Sequence, residues 1–170
     1  MLEELTLRKA VEFAVTTEQL GAKFYNKMAK KFEDDEEIKN IFTTLAKDEL
    51  IHEKQFQNLL NSVPKDPDMS SQDDRWAILR VLSMSEFFMG QSGLFKKLDE
   101  IETREDALQR AFNLEKDALA YYRAMEDIIG KDDTLTSIIQ AEKQHLLKVM
   151  EYMLTEAKMR GIADTGPGSS

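Results

Sequence analysis

The chain has 170 residues and a formal net charge of −9, from 23 Lys+Arg against 32 Asp+Glu. That length suits one domain with a sizeable core, and the acidic balance excludes nucleic-acid binding through a basic face. The absence of Cys excludes disulfides, thiolate metal sites and cysteine nucleophiles.

Seven Gly and three Pro are few for this length, and Pro64 and Pro67 fall together. Two long segments without breakers remain, rich in Glu, Lys, Leu, Ala and Met, so an all-α fold is expected. The start, Met1-Leu2-Glu3-Glu4, has neither the basic residues nor the apolar run of a signal peptide, which leads us to expect a cytoplasmic protein. The most apolar stretch, Trp76 to Met89, is interrupted by Arg80 and Glu86, so no membrane span is expected.

Helix one is predicted near residues 4–32, with a seam through Leu7, Val11, Ala14, Glu18, Gly21, Tyr25, Met28 and Phe32. A short turn at Glu33-Asp34-Asp35 leads into helix two, near 37–62, whose seam is Ile38, Phe42, Leu45, Glu49, His52, Phe56 and Leu59. Residues 63–102 are too long for a turn. Val63 to Asp74 is read as loop, and Trp76 to Leu98 as a helix broken near Gly90 and Gly93. Helix three, near 103–129, carries Leu108, Ala111, Glu115, Ala118, Tyr122, Met125 and Ile129. After Gly130-Lys131-Asp132-Asp133, helix four, near 133–160, carries Leu135, Ile138, Glu142, His145, Val149 and Tyr152. Such alternating spacings of four and three mark the inward stripe of a helix packed at a shallow angle in a bundle. The short turns make each pair an antiparallel hairpin. The tail 161–170 is small and polar and is expected to be flexible, outside a domain of residues 1–160.

The hairpins repeat one pattern. Glu18 and Tyr25 in helix one match Glu115 and Tyr122 in helix three, and Glu49-x-x-His52 in helix two matches Glu142-x-x-His145 in helix four. Glu18, Glu49, His52, Glu115, Glu142 and His145 thus occupy seam positions that should be apolar. Burying four carboxylates without partners costs several kcal/mol each, on the order of the penalty for any buried ion. Two divalent cations offset it by charge: four carboxylates carry −4 and two M²⁺ carry +4. Residues i and i+3 share a helix face, so a Glu and the His one turn later can serve one centre. Oxygen-rich donors with one imidazole each suit iron or manganese. A solvated Glu/His face is the competing reading. Yet the chain has only two His, and each stands three residues after a Glu on a seam.

Glu18-Gln-Leu-Gly-Ala-Lys-Phe-Tyr25, Leu45-Ala-Lys-Asp-Glu-Leu-Ile-His52, Glu115-Lys-Asp-Ala-Leu-Ala-Tyr-Tyr122 and Glu142-Lys-Gln-His145 resemble the rubrerythrin and bacterioferritin branch of the ferritin-like superfamily. The resemblance covers residues 5–160 and implies a ferritin-like four-helix bundle with a long, partly helical crossover between helices two and three. It also implies terminal ligands in Glu18, Glu115, His52 and His145, bridging ligands in Glu49 and Glu142, and support of His145 by Asp48. Tyr25 and Tyr122 are candidate hydrogen-bond donors beside the site. Ala118 stands where rubrerythrins carry a further carboxylate, and a Cys₄ rubredoxin module is impossible here.

The expected activity is that of a non-haem di-iron (or di-manganese) oxidoreductase of rubrerythrin-like type. It would reduce peroxide or O₂ with electrons from an external donor. A ferroxidase or iron-handling protein of ferritin type is the alternative. Trp76, Phe87, Phe88, Met89, Leu94 and Phe95 are more apolar surface than one short connecting helix can hide, so part of this segment is expected to pack between subunits in a homodimer.

Overall fold

The structure is a computed structural model that describes residues 5–65, 73–84 and 97–164. Among these residues there are α-helices and one 3₁₀ turn and no strand: α1 Leu7–Lys31, α2 Glu36–Ser62, α3 Asp74–Ser83, the 3₁₀ turn Leu98–Glu100, α4 Arg104–Ile129 and α5 Asp133–Asp164. The all-α helical bundle expected from the seams is what the chain forms.

Each long helix starts where a short polar side chain can satisfy a free backbone N–H. The Thr6 hydroxyl accepts from Lys9 N at 3.2 Å, Asp35 from Ile38 N at 3.2 Å, Thr103 from Asp106 N at 3.1 Å and Asp132 from Leu135 N at 2.9 Å. Glu36 and Glu37 in the first turn of α2, and Lys30 and Lys31 in the last turn of α1, match the helix dipoles. α4 stops at Gly130, whose φ of +84° an L side chain would resist.

α1 with α2 and α4 with α5 form two hairpins, and the hairpins meet through α1 against α4 and α2 against α5. α3 lies on α4. Arg104, at the start of α4, reaches Asp35 at the start of α2 (3.2 Å) and Glu156 near the end of α5 (3.1 Å). It is only part-buried, so its contribution to stability is small, but it marks the register of the hairpins.

The core comes in two apolar clusters, one toward each end. One holds Phe24, Met28, Ile38, Phe42, Leu45, Leu108, Leu114 and Val149; the other holds Val11, Ala14, Phe56, Leu79, Tyr121, Met125, Leu135 and Ile138. Along every long helix the residues between these clusters are the polar seam positions. The bundle therefore has a charged layer between two dry ones.

The connection departs from expectation. A helix starts at Asp74, capped by Asp73 accepting from Arg75 N at 3.0 Å, and ends at Ser83. The expected break at Gly90 and Gly93 lies outside the described residues. Trp76, expected to be surplus apolar surface, is 7% exposed and packs with Leu79 into the second cluster, so it has no free face for a partner. α5 continues through Gly161 to Asp164, past the boundary expected at 160. One Gly in a last turn costs about 1 kcal/mol at most, too little to end a helix by itself.

Tyr121, adjacent to a seam residue, donates a buried hydrogen bond to the Ala10 carbonyl at 2.8 Å and so ties α4 to α1. Tyr121→Phe is expected to lower stability by about 1 kcal/mol, or roughly 2–4 °C in Tm at this size. Urea unfolding measures it, and an unchanged midpoint would show that the tie contributes nothing.

Candidate metal centre

The six seam residues converge. Glu18, Glu49, His52, Glu115, Glu142 and His145 are each at most 6% exposed, and they come one from α1, two from α2, one from α4 and two from α5. Both imidazoles turn Nδ1 inward. His52 Nδ1 lies 2.6 Å from Glu142 Oε1 and 3.5 Å from Glu18 Oε2. His145 Nδ1 lies 3.4 Å from Glu49 Oε1, 3.5 Å from Glu142 Oε2 and 3.6 Å from Glu115 Oε2. The rings stack at 5.4 Å between centroids with 28° between planes.

Two half-sites follow. Glu18 and His52 form one, Glu115 and His145 the other. Glu142 stands between them with one oxygen toward each His, and Glu49 reaches across to His145. One donor atom from each of Glu49, His52, Glu142 and His145 falls within a sphere of mutual separations under 4.8 Å.

Whether a cation fits is decided by the donor atoms themselves. Glu18 Oε2, Glu49 Oε1, His52 Nδ1, Glu115 Oε2, both oxygens of Glu142 and His145 Nδ1 are buried with no aligned hydrogen-bond partner. Among the described residues the one other such atom is Arg104 Nε, which has its ion pair with Asp35. Buried polar atoms are rarely left in this state. Here they share one centre, and they are carboxylate oxygens and imidazole nitrogens, which bind metal. The cluster is able to hold a metal.

Three outward-facing atoms of the same residues, on Glu115, Glu18 and His145, are satisfied. Tyr25 Oη donates to Glu115 Oε1 and Tyr122 Oη donates to Glu18 Oε1, both fully buried. Each tyrosine therefore supports the glutamate of the opposite hairpin. His145 Nε2 lies 3.1 Å from Asp48 Oδ2, the support expected from Asp48. With Nε2–H donating to Asp48, Nδ1 is the nitrogen left facing the site. The spacing of Glu and Tyr in each helix put the tyrosines near the site, but the crossing could not be read from it. It depends on the rotation of one hairpin against the other.

Protons balance the cluster when it holds no metal. Burial, then repulsion from Glu142, raises Glu115 to about 8. Burial likewise raises Glu18, and it raises Glu49 strongly, with repulsion from Glu142 and Glu18 adding to it. Burial opposes the charged form of Glu142 too, but the close imidazoles of His145 and His52 outweigh it and hold this carboxyl below the usual range. For His52 burial disfavours the imidazolium, yet the Glu142 and Glu18 carboxylates close beside it lift it to about 10. His145 is raised further by Glu115, Glu142 and Glu49 against the same burial.

The linkage sign follows from these directions. A carboxyl raised from 4.5 to about 8 stabilises the fold below 4.5 and loses that contribution as pH rises through 8. An imidazole raised from 6.5 to about 10 contributes fully below 6.5 and loses it as pH rises through 10. Glu142 runs the other way, but its window lies below 4.5. Chelator-treated protein is therefore expected to melt lower at pH 9 than at pH 5.5, by more than the roughly 2–4 °C equivalent to 1 kcal/mol. With saturating metal the trend should flatten, because bound cations replace the protons. A metal-free Tm that climbs from pH 5.5 to 9 would contradict this picture of the cluster.

Compared with known proteins, residues 9–82 match the family model described as Rubrerythrin. No curated protein and no solved structure matched. The matched span contains α1, α2 and nearly all of α3, and with them Glu18, Glu49 and His52. Glu115, Glu142 and His145 lie beyond it, and the fold brings them to the same centre. The stretch from residue 9 to 82 is thus similar to the rubrerythrin family, in line with the sequence resemblance.

Proposed function

We propose that Glu18, Glu49, His52, Glu115, Glu142 and His145 hold two iron ions. On that reading the protein is a non-haem di-iron oxidoreductase that reduces peroxide or O₂ with electrons from an external donor. The observation that carries the metal reading is the set of buried carboxylate and imidazole atoms without aligned hydrogen bonds, all on these residues and turned to one centre. Four carboxylates and two imidazoles match the charge and donor preference of two divalent ions of the iron or manganese type.

A bound pair of redox-active ions would supply the two electrons that reduction of peroxide to two waters requires, along with two protons. The chain supplies the rest. Tyr25 and Tyr122 hold Glu115 and Glu18 by one oxygen and leave the other facing the centre. Asp48 fixes the tautomer and tilt of His145. The apolar clusters on either side keep bulk water from the layer. These 170 residues hold no cysteine and so no rubredoxin relay; on this reading the electrons come from a carrier outside them, a flavin or iron–sulfur protein.

Metal-free protein is expected to take two Fe²⁺ per chain, consume about one peroxide per pair of ions, keep its iron, and stop until a donor is added. Glu115→Ala should lower metal affinity at least about tenfold and abolish the reaction, while Glu151→Ala, exposed on α5, should do neither. Anaerobic peroxide titration with metal analysis reads both. Oxidation and retention of many Fe²⁺ per chain with no reductant would instead assign the protein to iron storage.

A homodimer is proposed on α3. Its Trp76 and Leu79 face inward, whereas Ile78, Val81 and Met84 are 56%, 70% and 51% exposed along one face. These lead in sequence toward Phe87, Phe88, Met89, Leu94 and Phe95. Sedimentation at micromolar concentration should give twice the chain mass of 19.6 kDa, and Val81→Glu should shift it to the monomer. A monomeric wild-type protein would refute the dimer.

A further inference from the structure

Gly21 lies in the interior of α1, one turn after Glu18, at a position where Gly is less favoured than Ala. From sequence it has two readings, close helix packing or a small residue that leaves space over the site. The surroundings give neither. A Cβ at Gly21 would lie 2.6 Å from Glu49 Oε2, 3.3 Å from Glu49 Cδ and 3.5 Å from Glu49 Cγ, and these are the three atoms nearest to it. No backbone of α2 comes nearer than these. The space that a side chain would take is filled by the carboxylate of Glu49.

The two ends of that carboxylate have different neighbours. Oε1 faces His145 Nδ1 of the other hairpin at 3.4 Å and has no hydrogen-bond partner. Oε2 lies against α1 where a Cβ is missing. Glu49 is 2% exposed, so it cannot swing out to solvent without opening the bundle. The pseudo-symmetric position in α4 is Ala118, whose methyl is packed in the second apolar cluster. The site therefore has room for a carboxylate against α1 that the matching place on α4 fills with a methyl group.

We infer that Gly21 is a positioning residue for Glu49: the missing Cβ lets the Glu49 carboxylate lie flat against α1 and reach both half-sites. Any larger residue at 21 makes the carboxylate retreat by roughly 1 Å to an ordinary contact and moves Oε1 with it. The role rests on the two-metal reading, since a displaced carboxylate matters to function only if it is a ligand.

The test is Co²⁺ binding to metal-free protein, followed by equilibrium dialysis and by the visible spectrum of the bound ion, alongside the Tm of the metal-free form. Wild type should take two Co²⁺ per chain. G21A and G21S should bind with at least about tenfold lower affinity, or stop at one ion, with a changed Co²⁺ spectrum. Metal-free G21A should melt no lower than wild type and up to roughly 2–4 °C higher, because Ala favours the helix and Glu49 is free to move when it holds no metal. G161A, in α5 with nothing within 4 Å of the added methyl, is the control and should leave Co²⁺ binding unchanged.

Two Co²⁺ bound by G21A with wild-type affinity and spectrum would overturn the role of Gly21 alone. Metal-free G21A that melts several degrees lower would also overturn it, in favour of plain helix packing. Fewer than two Co²⁺ on wild type would overturn the two-metal reading and this role with it.

Discussion

Four carboxyl groups and two imidazoles occupy the middle of a core that is otherwise dry, and the rest of the bundle is arranged around that fact. Charges so placed cannot be left alone in a medium of low polarity. In the metal-free chain they share protons: Glu142 stays ionised between two raised imidazoles, while the other three carboxyls are pushed toward their neutral forms. That state is tolerable, but it leaves seven donor atoms without aligned partners. A pair of cations would replace the protons and use those atoms at the same time, so the arrangement reads as a site kept for metal rather than an ion-pair network made for stability.

The burden of holding this layer falls on the apolar clusters and on a few directional ties. The clusters fix the four helices above and below it, with Phe42, Leu45 and Leu108 on one side and Phe56, Met125 and Ile138 on the other. The tyrosines then act across the hairpins, Tyr25 from α1 to Glu115 on α4 and Tyr122 from α4 to Glu18 on α1. Because each bond crosses the interface, neither hairpin sets its own terminal glutamate. The geometry of each half depends on the docking of the other, which couples assembly of the bundle to assembly of the site.

Much of this was legible in the sequence because a helix seam has a period, and a polar residue that falls on it is conspicuous. All six residues could be placed in the layer from spacing alone, and the turns ending at Asp35 and starting at Gly130 bounded the hairpins to within a residue or two. The connection was less legible. Residues 74–83 form a helix whose inner face, Trp76 and Leu79, packs on its own chain. The hydrophobic count of the segment suggested surplus surface, but counting cannot tell an inner face from an outer one in so short a helix. The crossing of the tyrosines and the contact of Gly21 with Glu49 depend on interhelical rotation and on side-chain direction, and neither leaves a mark on a single sequence.

The pseudo-twofold repeat supplies matched ligands but unmatched surroundings. Asp48 holds His145 by its outer nitrogen, whereas the equivalent residue on α5 is Ala141, which offers His52 no acceptor. Gly21 yields space to Glu49, whereas Ala118 gives none on the other side. Both differences favour the half-site of His145: its imidazole is the better anchored, and the carboxylate admitted by Gly21 is the one that reaches it, at 3.4 Å. A ligand held by a second hydrogen bond loses less freedom when it binds, so on the proposed two-metal reading a cation beside Glu115 and His145 would meet donors more fully organised than one beside Glu18 and His52. Two halves with the same six-residue plan therefore offer two unequal places. The inequality comes from residues outside the six proposed ligands, which is why the repeat in those six alone conceals it.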